Sequence, residues 1–85
     1  MRVTIPSPLL SYTGRREVEA SGATLAAVLQ DLDRQFAGIR FRMVDEHGCI
    51  RTHMRVFLNS QELRDPNSPL EPAATLHIVQ ALSGG

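Results

Sequence analysis

Ala74-Thr75-Leu76-His77-Ile78-Val79 runs through Gln80-Ala81-Leu82 into Ser83-Gly84-Gly85. In the first six residues Leu76 and Ile78 alternate with Thr75, His77 and Val79, the two-residue period of a half-buried strand. Glycine weakens a strand, because it packs no side chain and loses the most backbone entropy on ordering. Two glycines past the strand therefore make a poor structural end and a good flexible arm. Lacking Cβ atoms, Gly84 and Gly85 let the last peptide thread a channel too narrow for a side chain and present a main-chain carboxylate to a nucleophile. A frayed terminus ends the same way. The dipeptide alone leaves both readings open.

Working outward, Met54-Arg55-Val56-Phe57-Leu58 is a second clear strand, and Asn59-Ser60 turns it into a short one, Gln61-Glu62-Leu63. Residues 65–72 hold three prolines and read as a loop. Near the start, Arg2-Val3-Thr4-Ile5 alternates as a strand does, and Pro6-Ser7-Pro8 predicts an edge position or a bend before Leu9-Leu10. Thr13-Gly14 is a turn signal and Arg16-Glu17-Val18-Glu19-Ala20 alternates again, so this region reads as a β-hairpin. Leu25, Val28, Leu29, Leu32 and Phe36 then recur at helical spacing and form one apolar stripe. Ser21 or Thr24 is placed to cap that helix, and Gly38 to end it in the left-handed conformation. The stretch 38–54 is the least regular. Its polar turn Asp45-Glu46-His47-Gly48, between Phe41-Arg42-Met43-Val44 and Cys49-Ile50, predicts a short hairpin or an irregular loop.

The order strand, strand, helix, strand, short strand, strand lays one helix across one sheet face between two hairpins. The first and last strands are then free to lie side by side in the middle, in parallel. This is an α+β, β-grasp arrangement, a mixed sheet packed on one main helix. Alternation points Val3, Ile5, Val18, Met54, Val56, Leu58, Leu76 and Ile78 inward. Burying each contributes roughly 1.5–3 kcal/mol, enough for marginal stability in one small domain. We assign residues 1–80 to that domain and 81–85 to a flexible tail.

Composition excludes several function classes. Nine cationic and nine acidic residues cancel, and the pI is near 6.8, so no net field favours nucleic acid or an anionic membrane. Every cation is arginine; without lysine the chain offers no side-chain amine for isopeptide attachment. The single cysteine, Cys49, rules out an internal disulfide and a thiolate cluster, and His47, His53 and His77 lack the spacing of zinc ligands. With no run of about 18 apolar residues and no leader pattern, the chain reads as cytoplasmic. No serine–histidine–acid order, phosphate loop or buried carboxylate pair marks a catalytic site, so we expect no enzyme and no metal.

Pattern and ending together resemble the ubiquitin-like β-grasp superfamily, and within it the prokaryotic sulfur-carrier proteins. Val3-Thr4-Ile5-Pro6, Thr13-Gly14, Ala20-Ser21-Gly22-Ala23-Thr24-Leu25, Val56-Phe57-Leu58-Asn59 and the Gly-Gly end look most like the carriers of a protein-bound cysteine biosynthesis route. Two segments also resemble ubiquitin: Arg55 through Leu63, matching the strand and turn of its main contact patch, and Ala74 through Gly85, matching its last strand and tail. Glu71-Pro72-Ala73-Ala74 stands where relatives carry a Gly-Asp turn, and Gln80 where many have proline, which leaves the pathway open.

The resemblance implies that Gly85, with Gly84 behind it, is the working group. An E1-like adenylating enzyme would activate its carboxylate with ATP and Mg²⁺. Sulfur from a rhodanese or cysteine desulfurase would convert it to a thiocarboxylate, and a sulfur-accepting synthase would consume it. The chain would bind no cofactor itself, and alone it would be a monomer. Ala81 to Gly85 spans roughly 17 Å when extended, a plausible depth for a buried active site. For partner docking, alternation turns Phe57, His77 and Val79 to the open sheet face, with Arg55 on the same side and Leu82 in the tail. Cys49 reads as incidental, and His47 and His53 as surface residues. Other readings stay open: a protein modifier conjugated through Gly85, the small subunit of molybdopterin synthase, or a binding module with an inert tail.

Overall fold

The computed structural model describes residues 1–81. Leu82, Gly84 and Gly85, and with them the tail assigned to 81–85 beyond its first residue, lie outside the described residues. Five strands are formed: β1 (Arg2–Thr4), β2 (Glu17–Glu19), β3 (Met54–Leu58), β4 (Gln61–Leu63) and β5 (Thr75–Gln80). They make one sheet in the order β2-β1-β5-β3-β4. The first and last strands are parallel neighbours at its centre, with Val3 beside Leu76, and every other pairing is antiparallel. The β-grasp arrangement is therefore present, with helix α2 (Leu25–Gln35) as its main helix.

Burial of the sheet follows the alternation closely. Val3, Ile5, Val18, Met54, Val56, Leu76 and Ile78 are all buried against α2, while Leu58, at the end of β3, is only half-buried. Leu25, Val28, Leu29 and Leu32 supply the helix side of that core. Thr24, not Ser21, caps α2: its Oγ1 accepts the Ala27 N–H at 3.2 Å. The proline-bearing loop also serves the first turn of α2. Leu25 N–H donates to Ser68 O at 3.0 Å and Ala26 N–H to Pro66 O at 2.8 Å, so two donors that a helix start leaves orphaned are satisfied from outside.

Three local expectations need correction. β1 and β2 pair as a hairpin would, yet their connection is helical: a 3₁₀ turn at Ser7–Leu9 followed by α1 (Leu10–Thr13), closed by Gly14 at φ +72°. The bend at Pro6-Ser7-Pro8 is real, but β1 is not an edge strand. A proline is tolerated in a first helical turn, where its missing N–H would have no partner anyway. Second, α2 ends at Gln35 with Phe36 as its C-cap, and Gly38, although left-handed at φ +93°, begins the next helix instead of closing this one.

The third correction is α3 itself (Ile39–Met43), where the sequence suggested a hairpin arm or loop. Ile39-Arg40-Phe41-Arg42-Met43 alternates apolar and charged residues, so its period reads as a strand. In the structure Ile39 and Met43, four apart, face the core as on a helix, which leaves Phe41 outside. What makes the turn helical is Asp33. Its Oδ1 accepts both Gly38 N–H and Arg40 N–H at 3.1 Å, supplying the cap that glycine lacks. A single antiparallel bridge, Val44 to Ile50, closes the polar turn Asp45–Gly48 beyond it.

Candidate functional site

The face of the sheet opposite α2 carries the residues expected to dock a partner. In the β3–β5 ladder Phe57 lies directly across from His77, and Arg55 across from Val79. The four therefore form one contiguous block on the β3–β5 ladder, with the Arg55–Val79 pair nearest the end of the sheet where β5 finishes. Val79 is 43% exposed, whereas Phe57, His77 and Arg55 are half-buried by their neighbours. His77 is oriented from β1: its Nδ1 shares a 3.0 Å hydrogen bond with Thr4 Oγ1, a pair set by the parallel register. Arg55 is not free to answer a partner's acid without exchange. Its Nη1 lies 3.2 Å from Glu62 Oε2 on β4, and Arg64 Nε stands 3.7 Å from the same oxygen.

The chain leaves the sheet at this end. Ala81 N–H donates to His53 O at 2.7 Å, one rung past the Met54–Gln80 pair, so residue 81 is still held by the strand below it. Two shallow recesses flank the exit. One, of about 460 Å³, is lined by Pro6, Pro8, Arg16 and Val79 among others. The other, of about 300 Å³, is formed by Phe41, Arg42, Arg51 and His53. Here the Arg51 guanidinium sits 4.7 Å from the centre of the Phe41 ring, and its Nε donates to Phe41 O at 2.9 Å.

Phe41 is the feature that the sequence reading missed. At 59% exposure it is the more exposed of the two large apolar residues at the described surface. Strand-like alternation concealed it; the only clue was Asp33, placed five residues before Gly38. Cys49 is exposed, as are His47 and His53. The Asp45 carboxylate beside Cys49 is held below the usual carboxylate range, first by the Cys49 N–H bond and further by the His47 N–H and the charges of His47 and Arg51. Among the described residues no three His, Cys, Asp or Glu side chains are gathered to hold a metal ion. No described helix is long and apolar enough to cross a membrane.

Such a surface can bind and present. Known proteins bear directly on what it presents. The ThiS family profile matches residues 3–85. The sulfur carrier protein CysO of Mycobacterium tuberculosis H37Rv is 30% identical over 89 residues, covering 98% of this chain and 96% of that one. Among solved structures, the BexX/CysO complex of Amycolatopsis orientalis contains a chain that superposes with a TM-score of 0.91 at 32% identity, covering 99% and 98% of the two chains. The crystal structure of M. tuberculosis CysO, described as an antigen, superposes at 0.89 with 29% identity over 95% and 98%. The chain belongs to the ThiS family and is a sulfur carrier, a protein that carries a group rather than catalysing a reaction.

Proposed function

We propose that sulfur is carried on Gly85 as a thiocarboxylate. What supports this reading is the sequence Gly84-Gly85, which follows shortly after β5 and Ala81 in the chain. A carboxylate resists nucleophiles because it is already anionic. An E1-like adenylating partner removes that obstacle: the Gly85 carboxylate attacks the α-phosphorus of ATP, held with Mg²⁺ on the partner, and pyrophosphate leaves. A persulfide sulfur from a rhodanese or cysteine desulfurase then displaces AMP. Reduction of the resulting sulfur–sulfur bond by a second thiol frees the thiocarboxylate, which a sulfur-accepting synthase consumes. The carrier contributes recognition through Phe57, His77, Val79 and Arg55, and reach through Leu82 and the two glycines.

Likeness to CysO over nearly the whole chain supports cysteine biosynthesis as the destination. The CysO relative held in a complex with BexX supports a carrier that works by docking on another protein. Incubation with the adenylating enzyme, ATP and a persulfide donor should raise the intact mass by the oxygen-to-sulfur difference. Deleting Gly85 should abolish that gain and leave the fold unchanged. An unaltered mass with a competent cognate adenylating enzyme defeats the proposal. Phe57→Ala should lower the rate of loading through weaker docking, since buried aromatic anchors dominate such surfaces.

A further inference from the structure

We infer that Phe41, Arg42, Arg51 and His53 form a second docking element, separate from the Phe57–His77 block, that receives an acidic segment of the protein loading the chain end. The inference rests on the sulfur-carrier reading above. Four observations on the described surface carry it. Phe41 is displayed, not stranded: Arg51 stacks on its ring at 4.7 Å and bonds its carbonyl at 2.9 Å, so the ring is held in water at 59% exposure. An aromatic side chain fixed in this way costs little entropy to bind.

Charge supplies the second argument. Arg42, Arg51 and His53 converge on one recess of about 300 Å³. The near carboxylate, Asp45, feels the Arg51 charge but spends its Oδ1 on its own loop, accepting the N–H groups of His47 at 2.8 Å and Cys49 at 3.0 Å, and it does not line the recess. The recess is therefore an arginine-rich concavity in a chain of zero net charge, suited to carboxylates with an apolar neighbour to lie on Phe41. Position is the third. His53 both lines the recess and holds Ala81 through its carbonyl at 2.7 Å. A protein that takes the residues beyond 81 into its active site approaches across this rim. Last, the recess lies on a different element from the sheet block: Phe41 and Arg42 belong to α3, whose orientation Asp33 fixes.

The test uses the full chain and the adenylating enzyme that loads it. Phe41→Ser and Arg42→Glu, singly and combined, replace exposed side chains, and a ¹H–¹⁵N spectrum unchanged away from α3 and from Arg51 and His53 confirms the fold. The double variant should lose about tenfold or more in kcat/KM for thiocarboxylation, nearly all of it in KM, and its rate should respond less steeply to salt than the wild type's. Titrating labelled wild-type chain with the enzyme should broaden the amide signals of Phe41, Arg42, Arg51 and His53. A double variant loaded within about twofold of wild type, or sharp signals at those four residues while Phe57 and His77 broaden, overturns the inference and leaves the carrier reading standing. A wild-type chain that gains no mass overturns both.

Discussion

Gly22→Ala tests how the main helix is seated, because local and tertiary reasoning predict opposite signs. Gly22 is exposed and its φ is not positive, so by local rules alanine should stabilise the protein by about 0.4–1 kcal/mol through the unfolded chain. The structure forbids this. A Cβ added at Gly22 would stand 2.6 Å from Val28 N and 2.8 Å from both the carbonyl carbon and the Cβ of Ala27. These are mainly backbone atoms of the first turn of α2, which no rotamer change can move. The shortest contact is about 1 Å inside the optimum for such atoms, so residues 21–24 must lift. Lifting strains the Thr24 cap on Ala27 N–H and the Leu70 N–H bond to Ala23 O at 3.0 Å. Overpacking of this kind costs about 1–3 kcal/mol, and loss of a cap about 1 kcal/mol within it. A net loss of about 2 kcal/mol corresponds to a fall in Tm of roughly 10 °C for a domain of this size. Urea titration followed by far-UV circular dichroism reads the change as a lower midpoint at constant slope. Gly14→Ala separates the causes: at φ +72° with nothing within 4 Å of the added atom, it carries only backbone strain, roughly 1 kcal/mol. A Gly22→Ala protein as stable as wild type, or more so, refutes the steric account.

Asp33→Ala removes the acceptor shared by Gly38 and Arg40 N–H and should cost about 1 kcal/mol, with faster amide exchange in Ile39–Met43 than elsewhere. Arg40 carries a buried Nε without a hydrogen-bond partner among the described residues, so Arg40→Met, which keeps the apolar stem, should match or exceed wild-type stability by up to about 1 kcal/mol; a midpoint clearly below wild type would show that the charge is needed there. Asp31 sits below the ordinary aspartate value of 3.8, chiefly through its bond with Arg34, then through Ser21 N–H and Gln35. Its folded value being depressed, Asp31 contributes stability above that value, and the contribution fades as pH falls through the lower folded-state value. Asp31→Asn should therefore flatten the acid limb of the stability curve below about pH 4, and an unchanged limb would remove Asp31 as its source.

How far sequence reading reached depended on the range of the forces involved. Period-two alternation in Val3, Val56, Leu76 and their neighbours marked the buried sheet face, because a strand presents its side chains by simple parity. The 3-4 spacing from Leu25 to Leu32 marked α2 equally well. Parity also put Arg55, Phe57, His77 and Val79 on the open face, as the β3–β5 register shows. It failed at Ile39–Met43, where two buried residues four apart and one exposed between them imitate a strand. It failed again between β1 and β2, where the turn signals were genuine but two short helical turns filled the connection. Five residues carry too little periodicity to distinguish the two forms, and the deciding contact, Asp33 to Gly38 and Arg40, is made by a side chain from the preceding helix.

The linear chain by itself determined the order of the five strands and the main helix, the inward faces of sheet and helix, the absence of a lysine, and the diglycine on which the proposed chemistry rests. Those properties are written in composition and in periods of two and 3.6, which need no knowledge of distant neighbours. Only the tertiary structure decided that Arg55 is shared with Glu62, that His77 is held by Thr4, and that Phe41 stands beside the exit of the chain with Arg51 over its ring. Each of these joins residues from separate elements. Such contacts come from strand pairing and helix capping across the fold, and local sequence carries no record of them.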